Sequence, residues 1–309
     1  MRTTLSLTQI VDQWLAEADA LPSTKDDYRR KIGLWFRWLS SRKVDPREPQ
    51  RIDIIDYKRY LMGIGKSAFT YNGYITVVKL FYSFCDEHHY YDNIGLGIKS
   101  SFKMKQYYKR PLSGEQSSAL LSSMDSSTTI GKRDKLIIFL MLTNGLRTCE
   151  VQRINVEDFD KINDAPVLHI QRKGHTDKHD IVVLADEAVD LLEDYLSGRE
   201  FTDGDPLFIS HMKGRKNTRI NKGTIGTIIK RRLRAIGIDE KDITAHSLRH
   251  TCASLMIEQG LDPQLVQDML GHSNASTTKL YTMMARNERL FEHRPSRLLS
   301  SIVMNKPKK

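Results

Sequence analysis

The segment TAHSLRHT, residues 244–251, holds the polar pair on which the interpretation of the sequence is built. His246 and Arg249 are three residues apart, so a helix places both on one face. Leu248 and Cys252 fall on the opposite, apolar face. The pattern predicts a helix that packs into a core and presents an imidazole beside a guanidinium. Alone, it is more often explained by a structural histidine next to a surface arginine.

A second polar motif, GLRTCE, begins at Gly145. The preceding residues 134–142 are apolar on all sides and predict a buried helix that Gly145 terminates. We expect Thr148 to cap the next helix, with Glu150 in its first turn. Arg147 then lies on the turn between two helices, where it can be held rigidly for bidentate phosphate recognition and oriented by Glu150.

Three further polar residues stand in short motifs of the same region. Val167–Gln171 and Asp180–Leu184 are rich in β-branched and apolar residues and predict an antiparallel hairpin, with Lys173 at its tip. His272 follows a glycine that ends a helix, and Tyr281 lies on a short predicted helix. Singly, each is explained by a solvated lysine, a capping histidine or a packed tyrosine.

Taken together and in order, these motifs resemble the active-site pattern of the tyrosine recombinase (phage integrase) family. The residues that carry the resemblance are Arg147, Lys173, His246, Arg249, His272 and Tyr281. The similarity covers the second part of the chain and is closest to the compact, two-domain members, of the Xer or mobile-element type. It implies a mainly α fold with a small antiparallel sheet, in which a helical core-binding domain and an α+β catalytic domain form a C-shaped DNA clamp.

The resemblance also implies a role for each residue. Tyr281 attacks a phosphodiester and forms a 3′-phosphotyrosyl bond, Arg147 and Arg249 clamp the phosphate, Lys173 is the general acid, His246 takes the tyrosine proton, His272 donates a hydrogen bond to the phosphate, and Glu150 supports Arg147. The covalent intermediate retains the bond energy, and the cationic side chains supply the charge. We therefore expect a site-specific recombinase that requires no ATP, metal or other cofactor.

The charge of the chain favours a polyanionic partner. Lys and Arg number 48 against 38 acidic residues, for a net charge of +10. Residues 212–234 contain nine bases and no acid, interleaved with Asn and Thr. Such side chains contact phosphates, whereas a lipid-binding stretch needs bulky apolar residues on its other face. The predicted DNA-binding residues are Lys213, Arg215, Lys216, Arg219, Lys222, Arg231, Lys103 and Lys105.

The organisation of the chain predicts two domains and a linker. Apolar spacing predicts N-terminal helices at residues 6–17, after Thr24, at 53–62 and at 70–85. The expected divisions are a core-binding domain at residues 1–98, a basic linker at 99–111, a catalytic domain at 112–293 and a tail at 294–309. The amphipathic tail requires a surface to cover, either on its own domain or on a neighbouring protomer.

The expected partner is double-stranded DNA with an inverted-repeat core site. The resemblance implies a homodimer on one site, a homotetramer in the synapse and, in some systems, an accessory DNA-bending protein. The longest apolar run, residues 136–142, is far too short to cross a bilayer, and the three cysteines have no metal-ligand spacing. We expect a cytoplasmic protein with no membrane partner.

Two alternatives remain at this stage. A type IB topoisomerase shares the tyrosine nucleophile and much of the site, but it would relax DNA without a partner site. A DNA-binding regulator could use the same fold without catalysis, although a degenerate copy would be expected to lose Tyr281 or one of the arginines. The reaction products, or their absence, would distinguish the three.

Overall fold

A computed structural model describes residues 5–99, 109–212, 214 and 217–271 of the chain. The chain divides into two compact units, residues 1–107 and 108–309. Most of the linker predicted at residues 99–111 and the whole tail predicted at 294–309 lie outside the described residues. The proposed domain limits therefore stay predictions.

The described part of the first unit is built from four α-helices. They are α1 (Leu7–Glu17), α2 (Pro22–Ser41), α3 (Arg51–Gly63) and α4 (Ala68–Glu87). Ser6 caps α1 and Ser67 caps α4 through their hydroxyls. Thr24 does not cap α2 as expected, because Pro22 already occupies the first turn of that helix. A proline fits there, since it lacks an N–H that would otherwise be unsatisfied.

Aromatic side chains fill the core of this unit, as their helical spacing predicts. Trp35 stacks on Trp38 with ring centroids 5.4 Å apart, and Phe81 packs edge-on against Tyr82. The Tyr82 hydroxyl is buried and accepts a hydrogen bond from Trp35 Nε1 at 3.2 Å. It donates to the Pro46 carbonyl at 2.8 Å. This hydroxyl therefore ties the loop before α3 to the helical core.

The second unit is mainly helical, with one small sheet. Its described α-helices and strands are α5 (Gly114–Ser122), α6 (Thr129–Thr143), α7 (Thr148–Arg153), β1 (Phe159–Ile162), β2 (Ala165–Ile170), β3 (Asp180–Val183), α8 (Asp186–Ser197), α9 (Lys222–Ala235), α10 (Ala245–Glu258) and α11 (Pro263–Leu270), with a short 3-10 helix at Val156–Asp158. The buried helix expected at residues 134–142 forms most of α6, which packs against α8 and α10. Among the described residues, no helix is long and apolar enough to cross a membrane.

The sheet has three antiparallel strands in the order β1-β2-β3, whereas the sequence predicted only the β2-β3 pair. In the register of that pair, Leu168 lies opposite Val182. Strand β1 escaped prediction because it is short and mostly exposed. The signal that could have found it is the turn Asn163-Asp164, where both residues have positive φ, at 50° and 63°. This is the backbone of a two-residue hairpin turn.

We predict that Tyr82→Phe destabilises the first unit by about 1–3 kcal/mol, because a buried donor and a buried acceptor lose their partner. All three tryptophans lie in this unit, so the intrinsic tryptophan fluorescence during urea unfolding reports on it alone. Tyr60→Phe is the matched control, since Tyr60 is half-exposed and stacks on Tyr57 through its ring. Equal unfolding midpoints for the two variants would contradict the structural role of the Tyr82 hydroxyl.

Candidate active site

The turn between α6 and α7 sets the position of Arg147. Gly145 has a left-handed φ of 63°, and a Cβ there would lie 2.3 Å from Leu270 Cδ2. Arg147 follows with an extended backbone and is itself the N-cap residue of α7. The expectation that Thr148 caps the helix is wrong, because the Glu150 carboxylate reaches back and accepts the Arg147 amide at 2.8 Å. A glutamate at the third helical position commonly does this.

The Glu150 carboxylate is fully buried and connects several elements. Glu150 Oε1 accepts from Arg147 Nη1 at 2.7 Å and from the Lys173 amide at 3.4 Å. Glu150 Oε2 lies 3.9 Å from Arg172 Nη1 and 3.8 Å from Arg249 Nη1. Groups from α7, the β2–β3 loop and α10 thus converge on one carboxylate.

This environment keeps Glu150 ionised. Burial of the carboxyl raises its pKa, but the hydrogen bond from the Arg147 amide and the charges of Arg147 and Arg249 more than offset that effect. The net pKa of Glu150 lies below its ordinary value. A carboxylate surrounded by guanidiniums is expected to behave in this way.

Helix α10 presents His246 and Arg249 on one side, as their spacing predicts. Arg249 is buried and donates from Nη1 to the Gly145 carbonyl at 2.6 Å and from Nη2 to the Leu270 carbonyl. His246 is exposed at the start of the helix. Local desolvation and the charges of Arg147 and Arg249 lower its pKa. The imidazole is therefore mainly neutral at neutral pH and can accept a proton.

The far side of α10 is anchored by a hydroxyl. Thr251 Oγ1 donates to the Ser247 carbonyl at 2.8 Å and accepts the Leu112 amide at 2.8 Å. Leu248 is completely buried on the apolar face. The helix is therefore fixed on its core side, and the orientation of its polar side follows from that packing.

Lys173 lies in the loop that joins β2 to β3. The sequence placed it at a tight hairpin tip, but the loop spans the nine residues 171–179 and Lys173 is its third residue. The Lys173 side chain is exposed, whereas the preceding Arg172 is buried. The loop is therefore held by Arg172 and by the Lys173 amide, and the lysine side chain projects from it.

Arg172 is the member of this cluster that the sequence analysis missed. The sequence does contain a signal for Arg172, because the apolar residues Leu168 and Ile170 alternate along β2 and are buried on one face of it. Continuing the two-residue period places Arg172 on that same inward face. An arginine in register with core residues requires buried partners, and its guanidinium finds them in this cluster.

The predicted DNA-binding residues fall into three groups. Lys103, Lys105, Lys213, Arg215 and Lys216 lie outside the described residues, as do the catalytic candidates His272 and Tyr281. Arg219 points into the domain, where its guanidinium donates to the carbonyls of Gln152 and Ile154 and to Asn155 Oδ1. Lys222 and Arg231 are exposed on α9.

Arg231 also takes part in a buried ion cluster. Its Nη2 lies 3.2 Å from Oδ2 of Asp134, a fully buried carboxylate that also pairs with Arg133 and Arg232. The Arg231 side chain is nevertheless 63% exposed, so much of it remains available at the surface. Within the described part of the chain, no group of three or more His, Cys, Asp or Glu residues could hold a metal ion.

Comparison with known proteins identifies the class. The model of the phage integrase family matches residues 110–288, which is more than half of the chain. The chain is 30% identical over 284 residues to the tyrosine recombinase XerD of Ralstonia nicotianae, covering 90% of this chain and 88% of the relative. The protein belongs to the phage integrase family. Its predicted activity as a site-specific tyrosine recombinase is confirmed, and the topoisomerase and regulator alternatives are not favoured.

Solved structures agree with the predicted fold class. The XerH site-specific recombinase, bound to its palindromic difH substrate after cleavage, matches with a TM-score of 0.70 at 21% identity, over 93% of this chain and 84% of that chain. A lambda integrase dimer on a COC′ core site matches with a TM-score of 0.66 at 17% identity, over 90% of this chain and 95% of that one. At this identity the likeness concerns the fold.

We predict that Glu150→Gln destabilises the second unit by about 2–3 kcal/mol at neutral pH, because it leaves clustered guanidiniums without their shared anion. The native pKa of Glu150 is lowered, so its stabilisation is present above the ordinary value of 4.5 and is lost as the pH falls through the native pKa. The difference between the variant and the wild type should shrink only in that acidic range.

Cys252 provides the measurement, since this thiol is buried in the second unit and reacts with a thiol reagent when the unit unfolds. Its labelling can be followed by mass spectrometry as a function of urea concentration. Glu193→Gln on the exposed side of α8 is the matched control. An equally small loss for both variants would show that Glu150 does not organise the cluster.

Proposed function

We propose that the chain cleaves and rejoins duplex DNA at defined sites through a covalent bond between Tyr281 and a 3′ phosphate. The observation that carries this proposal is the convergence of Arg147, Arg249 and the backbone of Lys173 on the Glu150 carboxylate. These residues come from three segments that are far apart in the sequence. A shared anion that orients cationic groups is suited to recognising a phosphodiester.

In the cleavage step, the Tyr281 oxygen attacks the phosphorus and the bond between phosphorus and the 5′ oxygen breaks. His246 accepts the tyrosine proton, and Lys173 donates a proton to the departing 5′ oxygen. Proton removal is needed because an ordinary tyrosine, with a pKa of about 10, is a poor nucleophile at neutral pH. Rejoining is the reverse reaction, in which a 5′ hydroxyl attacks the phosphotyrosine, so no external energy source enters.

The two arginines stabilise the negative charge that develops on the non-bridging oxygens of the phosphate. Arg147 is about one-fifth exposed while its guanidinium is oriented by Glu150, and Arg249 is held more deeply by the carbonyls of Gly145 and Leu270. Preorganised, partly desolvated donors of this kind contribute strongly to transition-state stabilisation. We assign His272 a hydrogen bond to the same phosphate, from its place in the family motif.

The proposed substrate is double-stranded DNA with inverted half-sites. This proposal is supported by the complexes of XerH with palindromic difH DNA and of a lambda integrase dimer with a core site. We propose one protomer on each half-site and four in the synapse, with an accessory DNA-bending protein where the site requires bending. The core-binding and catalytic domains would both contact the duplex, in the cytoplasm.

For DNA contacts we retain Lys222 and Arg231 on α9, together with Lys103, Lys105, Lys213, Arg215 and Lys216. Lys222 and Arg231 are supported by their exposure on one helix. Arg219 is left out of the proposed set because three internal acceptors occupy its guanidinium. Exposed cations neutralise phosphates and make the affinity depend on salt.

We predict that Tyr281→Phe abolishes covalent attachment to DNA while leaving DNA binding intact. Wild type and variant are expressed in the host, purified under denaturing conditions, and any attached DNA is sequenced. Discrete ends on the wild type and none on the variant support the proposal, and inverted repeats flanking those ends support recombination. Attached DNA on the variant would exclude Tyr281 as the nucleophile, and scattered ends on the wild type would point to a relaxing enzyme.

We predict that the cleavage rate falls only below pH 6.5, because His246 must be neutral to accept a proton and its pKa lies below that ordinary value. Single-turnover cleavage is measured between about pH 5 and pH 8. The substrate is a nicked duplex that carries the site identified by sequencing the attached DNA. His246→Gln should be slower and should lose this acid limb. His175→Gln, which changes an exposed histidine of the neighbouring loop, should retain it. An unchanged limb in His246→Gln would assign the proton acceptor elsewhere.

A further inference from the structure

Arg172 is a buried arginine that joins the β2–β3 loop to the end of α11. Only 4% of its side chain is exposed. Its Nη2 donates to the Met269 carbonyl at 2.8 Å and its Nη1 to the Leu270 carbonyl at 3.3 Å. These carbonyls belong to the last turn of α11, whose own helix cannot supply them with donors. The guanidinium of this loop residue therefore caps the C-terminal end of α11.

Gly271 makes this contact sterically possible. It ends α11 with a left-handed φ of 58°, and a Cβ at this position would lie 2.6 Å from Arg172 Nε. The glycine is thus required both by the backbone conformation and by the close approach of the guanidinium. The next residue in the chain is His272, so Arg172 lies directly against the residue that leads into that motif.

The same guanidinium belongs to the cluster around Glu150. Its Nη1 lies 3.9 Å from Glu150 Oε2, the oxygen that is 3.8 Å from Arg249 Nη1. Arg172 and Arg249 also share the Leu270 carbonyl as an acceptor. On its other side, Arg172 Nε lies 3.7 Å from Asp180 Oδ1 at the start of β3. Arg172 therefore spans both ends of the loop that carries Lys173.

Burying a guanidinium is costly unless its position is well supported by charges and acceptors. Burial does lower the pKa of Arg172, and the charges of Glu150 and Asp180 oppose that shift. Apolar packing could hold a loop of nine residues in place without the desolvation cost of a buried guanidinium. Arg172, which makes these charged contacts, lies one residue before Lys173. The amide of Lys173 itself donates to Glu150. The backbone that leads into Lys173 is thus held by two contacts, one from the Arg172 side chain and one from the Lys173 amide.

We propose that Arg172 is a positioning residue for the cleavage step, which locks the β2–β3 loop against α11 so that Lys173 meets the 5′ oxygen. This inference rests on the general-acid role proposed for Lys173. It predicts that loss of Arg172 impairs proton donation to the leaving group. Charge stabilisation on the phosphate would be affected much less.

The test compares two leaving groups at the DNA site identified from the DNA attached to the wild-type protein. One nicked duplex carries the natural 5′ oxygen at the scissile phosphate, and the other carries a bridging 5′ sulfur. The bond from phosphorus to sulfur breaks with departure of a thiolate, which needs no proton donor because thiols are far more acidic than alcohols. Single-turnover cleavage of both duplexes is measured for the wild type and for Arg172→Met, Arg172→Lys and Lys173→Ala.

Lys178→Met is the matched control. It removes one positive charge from the same loop, but Lys178 pairs with Asp158 instead of the Glu150 cluster. Arg172→Met should slow cleavage of the oxygen duplex by about 10–100-fold, part of what a full general acid contributes, and that of the sulfur duplex by less than about 3-fold. Lys178→Met should change both rates by the same factor. Arg172→Lys should recover little, because an ammonium cannot span two carbonyls as a guanidinium does.

The outcomes separate this inference from the proposed function. If sulfur rescues Lys173→Ala but leaves Arg172→Met equally slow on both duplexes, Arg172 does not act through Lys173 and the inference fails alone. If sulfur does not rescue Lys173→Ala, the general-acid assignment itself fails. Circular dichroism shows whether each variant is folded, and loss of the folded state in both Arg172 variants would assign Arg172 to stability and overturn the inference.

Discussion

The second unit is organised around one buried anion, the Glu150 carboxylate. An isolated carboxylate in this position would be strongly disfavoured, and three buried or half-buried arginines would repel one another without it. Each charge therefore requires the others, and the arrangement is stable only when all the segments that carry them are in place. The contacts of Glu150 with Arg147, Arg249 and the Lys173 amide couple formation of the candidate site to folding of the whole unit.

The apolar framework supplies the positions that this cluster needs. Helix α6 is mostly buried and ends at Thr143, and the left-handed conformation of Gly145 then turns the chain into the Arg147 cap. Helix α10 is fixed by Leu248 and Thr251 on its core side, so Arg249 points back toward the Gly145 carbonyl. Such a cluster needs its guanidiniums held to within about 0.5 Å, and helices and strand ends position side chains more precisely than loops do.

Much of this could be predicted from the sequence, and the failures have physical causes. His246 and Arg249 were placed correctly because helical period alone decides which face they share. The cap of α7 was missed because Thr148 has the better intrinsic propensity, whereas the backward reach of Glu150 selects Arg147. Strand β1 was missed because its side chains are mostly exposed. Arg219 was taken for a surface base because composition does not reveal which arginines find internal acceptors.

The charges of the cluster also suit the reaction. Arg147, Arg172 and Arg249 of the cluster and the exposed Lys173 of the adjoining loop carry four positive charges, and Glu150 and Asp180 carry two negative ones, so two positive charges remain. A phosphodiester carries one negative charge and gains about one more as a nucleophile adds to phosphorus. In the proposed mechanism, the excess charge would therefore stabilise the transition state more than it stabilises the bound DNA. Differential stabilisation of this kind accelerates the chemical step, whereas equal attraction would only tighten binding. The buried carboxylate orients the arginines, and in the proposed mechanism it would also limit how strongly the site holds uncleaved DNA.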